Sequence, residues 1–176
     1  MPPPPAARAK VLDAFAEILV ESGERSATLD AVAERAGVSK GGLLYHFPSK
    51  DELVDGLVEH LRALIAADVA VMRSAPEGTV AYLLRTSVDV GGELDRAYLA
   101  TARLAGGAYP RARGALDAAL EAWTEAVAAE IDDPVLARTV VLLSDGLYHR
   151  ASIGVQPPPV DELLEVVEHL RRQATA

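Results

Sequence analysis

The side chains able to do chemistry are few and scattered. The four histidines, His46, His60, His149 and His169, show neither a Glu-x-x-His pair nor another metal-ligand spacing. There is no cysteine, so disulfides, thiolate nucleophiles and thiolate metal sites are excluded. Gly91-Gly92 and Gly106-Gly107 each close an apolar helical pattern and read as helix ends, not as a loop that cradles phosphate. The expectation is a protein that is not an enzyme and needs no cofactor and no metal.

One stretch does carry a functional spacing. Residues 28–47 read TLDAVAERAGVSKGGLLYHF. Two short helices that cross steeply need a small residue where they touch, and Ala33 stands there. Four positions on they need a residue tolerant of positive φ, and Gly37 stands there. Val32, Val38 and Leu43 fall where apolar side chains would lock the pair onto a preceding helix. Such a unit lays its second helix in the major groove of DNA, with that helix's N-terminal residues at the base edges. On spacing alone, an ordinary helical hairpin is the alternative.

The elements that must hold this stretch are all helical. From Arg8, the residues Val11, Leu12, Phe15, Ile18 and Leu19 fall on one face, ending at Gly23. Thr28 is an N-cap for the second helix and Ser39 for a short third. Pro48 stops the third, and Ser49-Lys50-Asp51-Glu52 is a capping box for a long fourth helix reaching about Arg73. Pro76 suits the start of a fifth helix, to be ended by Gly91-Gly92. A sixth spans about Glu93 to Ala105, and a seventh follows Pro110. An eighth starts at Asp133-Pro134, and a ninth follows Pro157-Pro158-Pro159 to about Arg172. Before the first helix, the prolines from Pro2 to Pro5 predict a stiff extended arm. The reading is all-α with about nine helices: a compact three-helix group, a long connecting helix and a five-helix body.

Composition agrees. Half of the 176 residues are hydrophobic and only 5% are aromatic, a mixture suited to helices packed on helices. No apolar run is long enough to span a bilayer, and the N-terminus lacks the apolar segment of a secretion signal, so the expectation is a cytoplasmic protein away from membranes. The net charge of −9 runs against DNA binding, and residues 1–60 alone hold six Lys or Arg against ten Asp or Glu. What a phosphate backbone meets, however, is the local field. From Arg35 to Lys50 there are three basic residues and no acid. Arg96 to Leu116 is a second acid-free window with four arginines, so charge permits DNA binding without proving it.

Residues 8–60 resemble the N-terminal domain of the TetR family of bacterial regulators. The amphipathic first helix, TLDAVAERAGVSKG, the short recognition helix ending in an aromatic, and FPSKDELV opening the fourth helix carry the likeness. The resemblance implies a homodimeric repressor that binds an approximately palindromic double-stranded DNA operator and is released by a small-molecule effector. Residues 5–65 would be the DNA-binding domain, with its helix-turn-helix at 28–47, and residues 66–176 the ligand-binding and dimerisation domain. Thr28 would present its hydroxyl and the helix N-terminus to a phosphate. Ser39, Lys40, Gly41, Gly42 and Tyr45 would line the groove, with Lys40 and Tyr45 reading bases, while His46 and Lys50 would hold the backbone. The chain departs from the family where Gly42-Leu43-Leu44 replaces a common Thr-Leu-Tyr, which removes one phosphate-contacting tyrosine.

By the same resemblance the eighth and ninth helices pair with their symmetry mates as a four-helix bundle. The expected interface residues are Leu136, Val140, Leu143 and Leu147 on the eighth and Leu163, Val167 and Leu170 on the ninth. Helices four to seven would enclose the effector. Its candidate contacts are Met72, Tyr82, Tyr98, Trp123 and Tyr148, with Arg103 and His149 as polar anchors. The arginines between Arg96 and Arg113 point to an anionic effector. A helical ligand-binding protein without DNA binding, and a helical-bundle enzyme, are the competing classes.

Overall fold

A computed structural model describes residues 5–174. Among these residues the chain forms nine α-helices and no strand. They are α1 (Pro5–Ser22), α2 (Leu29–Ala36), α3 (Lys40–His46), α4 (Lys50–Ser74), α5 (Thr79–Thr86), α6 (Glu93–Ala105), α7 (Pro110–Ile131), α8 (Pro134–Ser152) and α9 (Val160–Ala174). The arm expected for the first prolines lies outside the described residues, apart from Pro5. That residue already opens α1, three positions before the helix expected from Arg8, since a first-turn proline gives up no intrahelical hydrogen bond. No helix among the described residues is long and apolar enough to cross a membrane.

The helices gather into two units. The first holds the chain up to Leu64 together with Glu93–Asp117, and the second holds Ile65–Gly92 and the chain from Ala118 onward. In the first unit α1 is the hub, packing on α2, α3 and α6. Its Val11, Phe15 and Leu19 are fully buried, as are Val32 of α2 and Leu43 of α3. From α6 come Ala97, Ala100 and Leu104, and the two alanines allow close approach to the hub. The second unit packs α5 on α8 and α9, and α8 on α9. Its core includes Leu83 and Leu84, Val127 and Ile131, Leu136, Val140 and Leu147, and Val167.

Both ends of α5 depart further from expectation. α5 covers only Thr79–Thr86, where the proline and glycine signals placed it from Pro76 to Gly91. Pro76 sits in a turn closed by a hydrogen bond from Gly78 N–H to the Ala75 carbonyl at 3.1 Å, and Gly78 has φ +90°. The cap that starts α5 comes from elsewhere in the chain: Glu130 Oε2 of α7 accepts from both the Thr79 amide and the Thr79 hydroxyl, each at 2.5 Å. A carboxylate at a helix N-terminus satisfies orphan amides and complements the helix dipole. No local pattern announces a cap 51 residues away.

A tighter constraint sits behind the recognition stretch. Phe47 ends α3 and is 2% exposed. A Cβ placed on Gly56 of α4 would lie 2.6 Å from Phe47 Cε1 and 3.2 Å from Leu12 Cδ2. The glycine therefore leaves room for the ring to lie directly on the α4 backbone. Alanine is the better helix former by about 1 kcal/mol, yet overpacking a filled core costs about 1–3 kcal/mol. Gly56→Ala is thus expected to lower the unfolding free energy by up to about 2 kcal/mol in urea denaturation. A variant more stable than the parent, by the roughly 1 kcal/mol of helix propensity, would show that Phe47 moves aside freely.

Candidate nucleic-acid interface

The two short helices are built by local caps. Thr28 is extended (φ −84°, ψ 156°), and its Oγ1 accepts from Ala31 N–H at 3.2 Å. Gly37 takes the left-handed conformation (φ 65°) that ends α2, and the next amide, of Val38, donates to the Ala33 carbonyl at 3.0 Å. Ser39 then caps α3, its Oγ accepting from Gly42 N–H at 3.1 Å. Thus Gly37 allows the sharp turn, and a hydroxyl at each helix start satisfies an amide that would otherwise lack a partner.

On the outer face of α3 the surface is sparse. Gly41 is exposed, and a Cβ there would meet nothing within 4 Å. Gly42 is half-buried, and a Cβ there would meet only Ser39 Oγ, at 3.2 Å. Tyr45 is 65% exposed. Neighbouring His46 is half-buried, its ring edge-on to Tyr45 at 5.3 Å and tilted against Phe47 at 6.5 Å. Its Nε2 is sealed from solvent without a hydrogen-bond partner among the described residues, so the ring serves as packing between the exposed tyrosine and the buried phenylalanine.

The basic residues are held by acids. Lys40 Nζ lies 2.7 Å from Asp30 Oδ1 and 3.0 Å from Oδ2, both side chains being largely exposed. Lys50 Nζ donates to the Glu24 carbonyl at 2.8 Å and lies 3.7 Å from Glu24 Oε1. Arg35 bridges Glu17 and Glu21 of α1 at 3.2 and 3.0 Å. These two carboxylates, Glu21 first, hold the guanidinium proton more tightly than usual. Exposed pairs of this kind are worth about 0–1 kcal/mol each, so a phosphate can compete for Lys40. Thr28, Ser39, Lys40, Gly41 and Tyr45 are all exposed, within the same two helices and their caps. Arg111 of α7, which sequence reasoning left among the effector-favouring arginines, instead holds the start of α4. Its Nη2 donates to the Asp51 carbonyl at 3.1 Å, and its Nε lies 2.5 Å from Asp55 Oδ1 as an ion pair, off the hydrogen-bonding direction.

The residues expected around an effector divide between the units. Met72, Tyr82, Trp123, Tyr148 and His149 belong to the second, and Tyr98 and Arg103 to the first, on α6. Met72 is fully buried, Tyr82, Trp123 and Tyr148 are half-buried, and His149 and Arg103 are exposed. Tyr82 and Trp123 meet at a residue the sequence reading missed. Asp68 of α4 accepts from the Tyr82 hydroxyl at 2.9 Å and from Trp123 Nε1 at 2.8 Å. The signal was present, because Asp68 interrupts the apolar stripe of Leu61, Ile65, Val69 and Met72 on its inward face.

Of the residues expected to pair two protomers, Leu136, Val140, Leu147 and Val167 are buried inside the second unit's own core. They pack the helices from behind. Leu143 and Leu163 are half-buried, and Leu170 is 38% exposed. The apolar side chains that face outward are Val135 and Leu142 on α8 and Val166 and Leu170 on α9.

Comparisons with known proteins agree with this architecture. Residues 11–57 match the bacterial regulatory proteins of the tetR family, and residues 77–175 match the tetracyclin repressor-like C-terminal domain. The HTH-type transcriptional regulator SrpR of Pseudomonas putida is 34% identical over 80 residues, which are 43% of this chain and 38% of that protein. The HTH-type transcriptional regulator BetI of Escherichia coli is 26% identical over 132 residues, 74% of this chain and 58% of that one. The match therefore spans less than two thirds of either relative. A solved structure of a TetR-family member from Streptomyces coelicolor is similar with a TM-score of 0.65 and 26% identity, over 94% of this chain and 98% of that one.

The open space at Gly41 separates folding from binding. In Gly41→Ala the added methyl meets no protein atom, and the helix gains about 1 kcal/mol of propensity. The expected outcome is a higher thermal midpoint together with weaker DNA binding, measured by fluorescence anisotropy, because the methyl fills space that DNA would occupy. Unchanged affinity would place the DNA surface elsewhere.

Proposed function

Since the chain belongs to the TetR family of bacterial regulatory proteins, we propose that it is a dimeric DNA-binding transcriptional regulator, a repressor released from its operator by a small-molecule effector. The observation that carries this reading is the pair of capped helices joined at Gly37, with Gly41 and Tyr45 outward on α3. α3 enters the major groove, where Lys40 and Tyr45 reach base edges and the starts of α2 and α3, at Thr28 and Ser39, lie toward phosphates. Two glycines leave few side chains for base readout, so close backbone approach and DNA shape supply part of the specificity.

Residues 5–65 carry the DNA contacts and residues 66–176 the effector and dimer functions, in the cytoplasm. Two protomers pair through the outward apolar residues of α8 and α9, Val135, Leu142, Val166 and Leu170, flanked by Leu143 and Leu163. Burying such side chains against a partner removes them from water at about 25 cal/mol per Å² of apolar surface. The two-fold axis then calls for an approximately palindromic operator. α4 runs unbroken from Lys50 to Ser74, so an effector that displaces its C-terminal half moves the helix that follows α3. The effector acts only to the extent that it prefers the DNA-incompetent arrangement.

The test is retention of sheared genomic DNA on the immobilised full-length protein. A small set of fragments sharing an inverted repeat is expected to be enriched. Leu142→Glu, which separates the protomers, is expected to lose that enrichment and to sediment as a folded monomer. Retention of no fragment would favour a helical ligand-binding protein without DNA binding, and uniform retention of all fragments would overturn recognition of an operator.

A further inference from the structure

The second unit contains a carboxylate gripped by two aromatic side chains from two other helices. Asp68 stands on α4, Tyr82 on α5 and Trp123 on α7, and all three are half-buried. Tyr82 donates to Oδ1 and Trp123 to Oδ2, so each carboxylate oxygen meets one neutral donor. Among the described residues no cationic side chain pairs with Asp68. The arginines of this unit nearest in sequence to Tyr82 and Trp123 are engaged elsewhere, Arg85 with Asp161 at 2.6 Å and Arg138 with the Pro134 carbonyl at 3.2 Å.

Neutral donors satisfy lone pairs but do not cancel charge, and a charge withdrawn from water without a counter-ion is costly. Burial and the neighbouring carboxylate both act on the Tyr82 hydroxyl. Its proton is held up to about 12, first by burial, then by the hydrogen bond to Asp68 and the negative charges of Asp68 and Glu77. An anion brought here would be repelled. The four arginines from Arg96 to Arg113, from which an anionic effector was expected, belong to the first unit. A hard metal ion is also a poor fit, since it requires several oxygen ligands. Among the described residues no group of three or more His, Asp or Glu could hold a metal.

A carboxylate flanked by tyrosine and tryptophan offers two attractions to one kind of guest. The carboxylate supplies Coulomb attraction, and the aromatic rings attract positive charge through their quadrupoles while covering apolar substituents. We propose that Asp68, with Tyr82 and Trp123, is the recognition point for an organic cation bearing apolar groups, and that the effector is of this class. The second half of this statement rests on the reading of the second unit as an effector domain; the first half does not.

Trp123 is the only tryptophan in the chain, so intrinsic fluorescence reports on this position directly. The full-length protein is titrated, without DNA, with benzyltrimethylammonium and with benzylsulfonate. These share a benzyl group and a compact tetrahedral head and differ in the sign of charge. A saturable fluorescence change is expected with the cation and not with the anion. Asp68→Asn keeps one acceptor, for Trp123 Nε1–H, while the Tyr82 hydroxyl can turn to accept from the new amide; it removes the charge and is expected to weaken cation binding about tenfold or more. Asp68→Glu restores the charge, and loss of binding in the Asn but not the Glu variant assigns the effect to charge and not to folding. Equal response to both probes, no response to the cation, or equal cation affinity in the parent and Asp68→Asn overturns the proposal. A failure of DNA binding leaves this titration untouched. Conversely, a cation that binds here without altering operator affinity removes the effector role and keeps the site.

Discussion

The ring of Phe47 occupies the space that a side chain at position 56 would fill, and the placement of α3 depends on that contact. Phe47 is the C-cap of α3, so fixing its ring on α4 fixes the end of the recognition helix. The other end is fixed by Ser39 and by Leu43, which is fully buried beneath α3. A seven-residue helix containing two glycines has little stability of its own, because helix nucleation is unfavourable and each glycine costs about 1 kcal/mol. It persists because a local cap holds its start and tertiary contacts hold its inner face and its end. That arrangement leaves the outer face free to carry almost no side chain at all.

Electrostatics around that face are set by local ion pairs within a protein of net charge −9. Lys40 is held by Asp30 and Lys50 by Glu24, so little uncompensated positive charge stands ready for phosphate. For DNA to bind, counter-ion release must outweigh the loss of these exposed pairs, each of them weak. On the proposed reading, a surface whose lysines are paired gains little from phosphates alone and depends on shape and base contacts for the remainder.

What could be read in the sequence was whatever is encoded locally. Thr28, Gly37, Ser39, Ser49 and Asp133 act within a few residues of themselves, and each one marks a helix boundary in the structure. The start of α5 was missed because its cap, Glu130, is supplied by α7. On α8, apolar residues lie all around the helix, so periodicity alone does not separate Leu136 and Val140, which face the core, from Val135 and Leu142, which face out. The aromatic residues expected at an effector site in the second unit are half-buried, and the group that joins two of them is an aspartate. A carboxylate within an apolar stripe is a conflict between local chemistry and burial, and such conflicts gather where proteins bind things.

The proposed regulation requires two copies of α3 to meet one operator across a two-fold axis. Hydroxyl-radical footprinting of the full-length protein on an enriched genomic fragment would reveal that symmetry. Two equivalent protected patches are expected, related by an inverted repeat and centred about one helical turn of DNA apart, roughly 34–36 Å, or a multiple of it. A single isolated patch, or protection that follows no sequence, would contradict the two-fold reading.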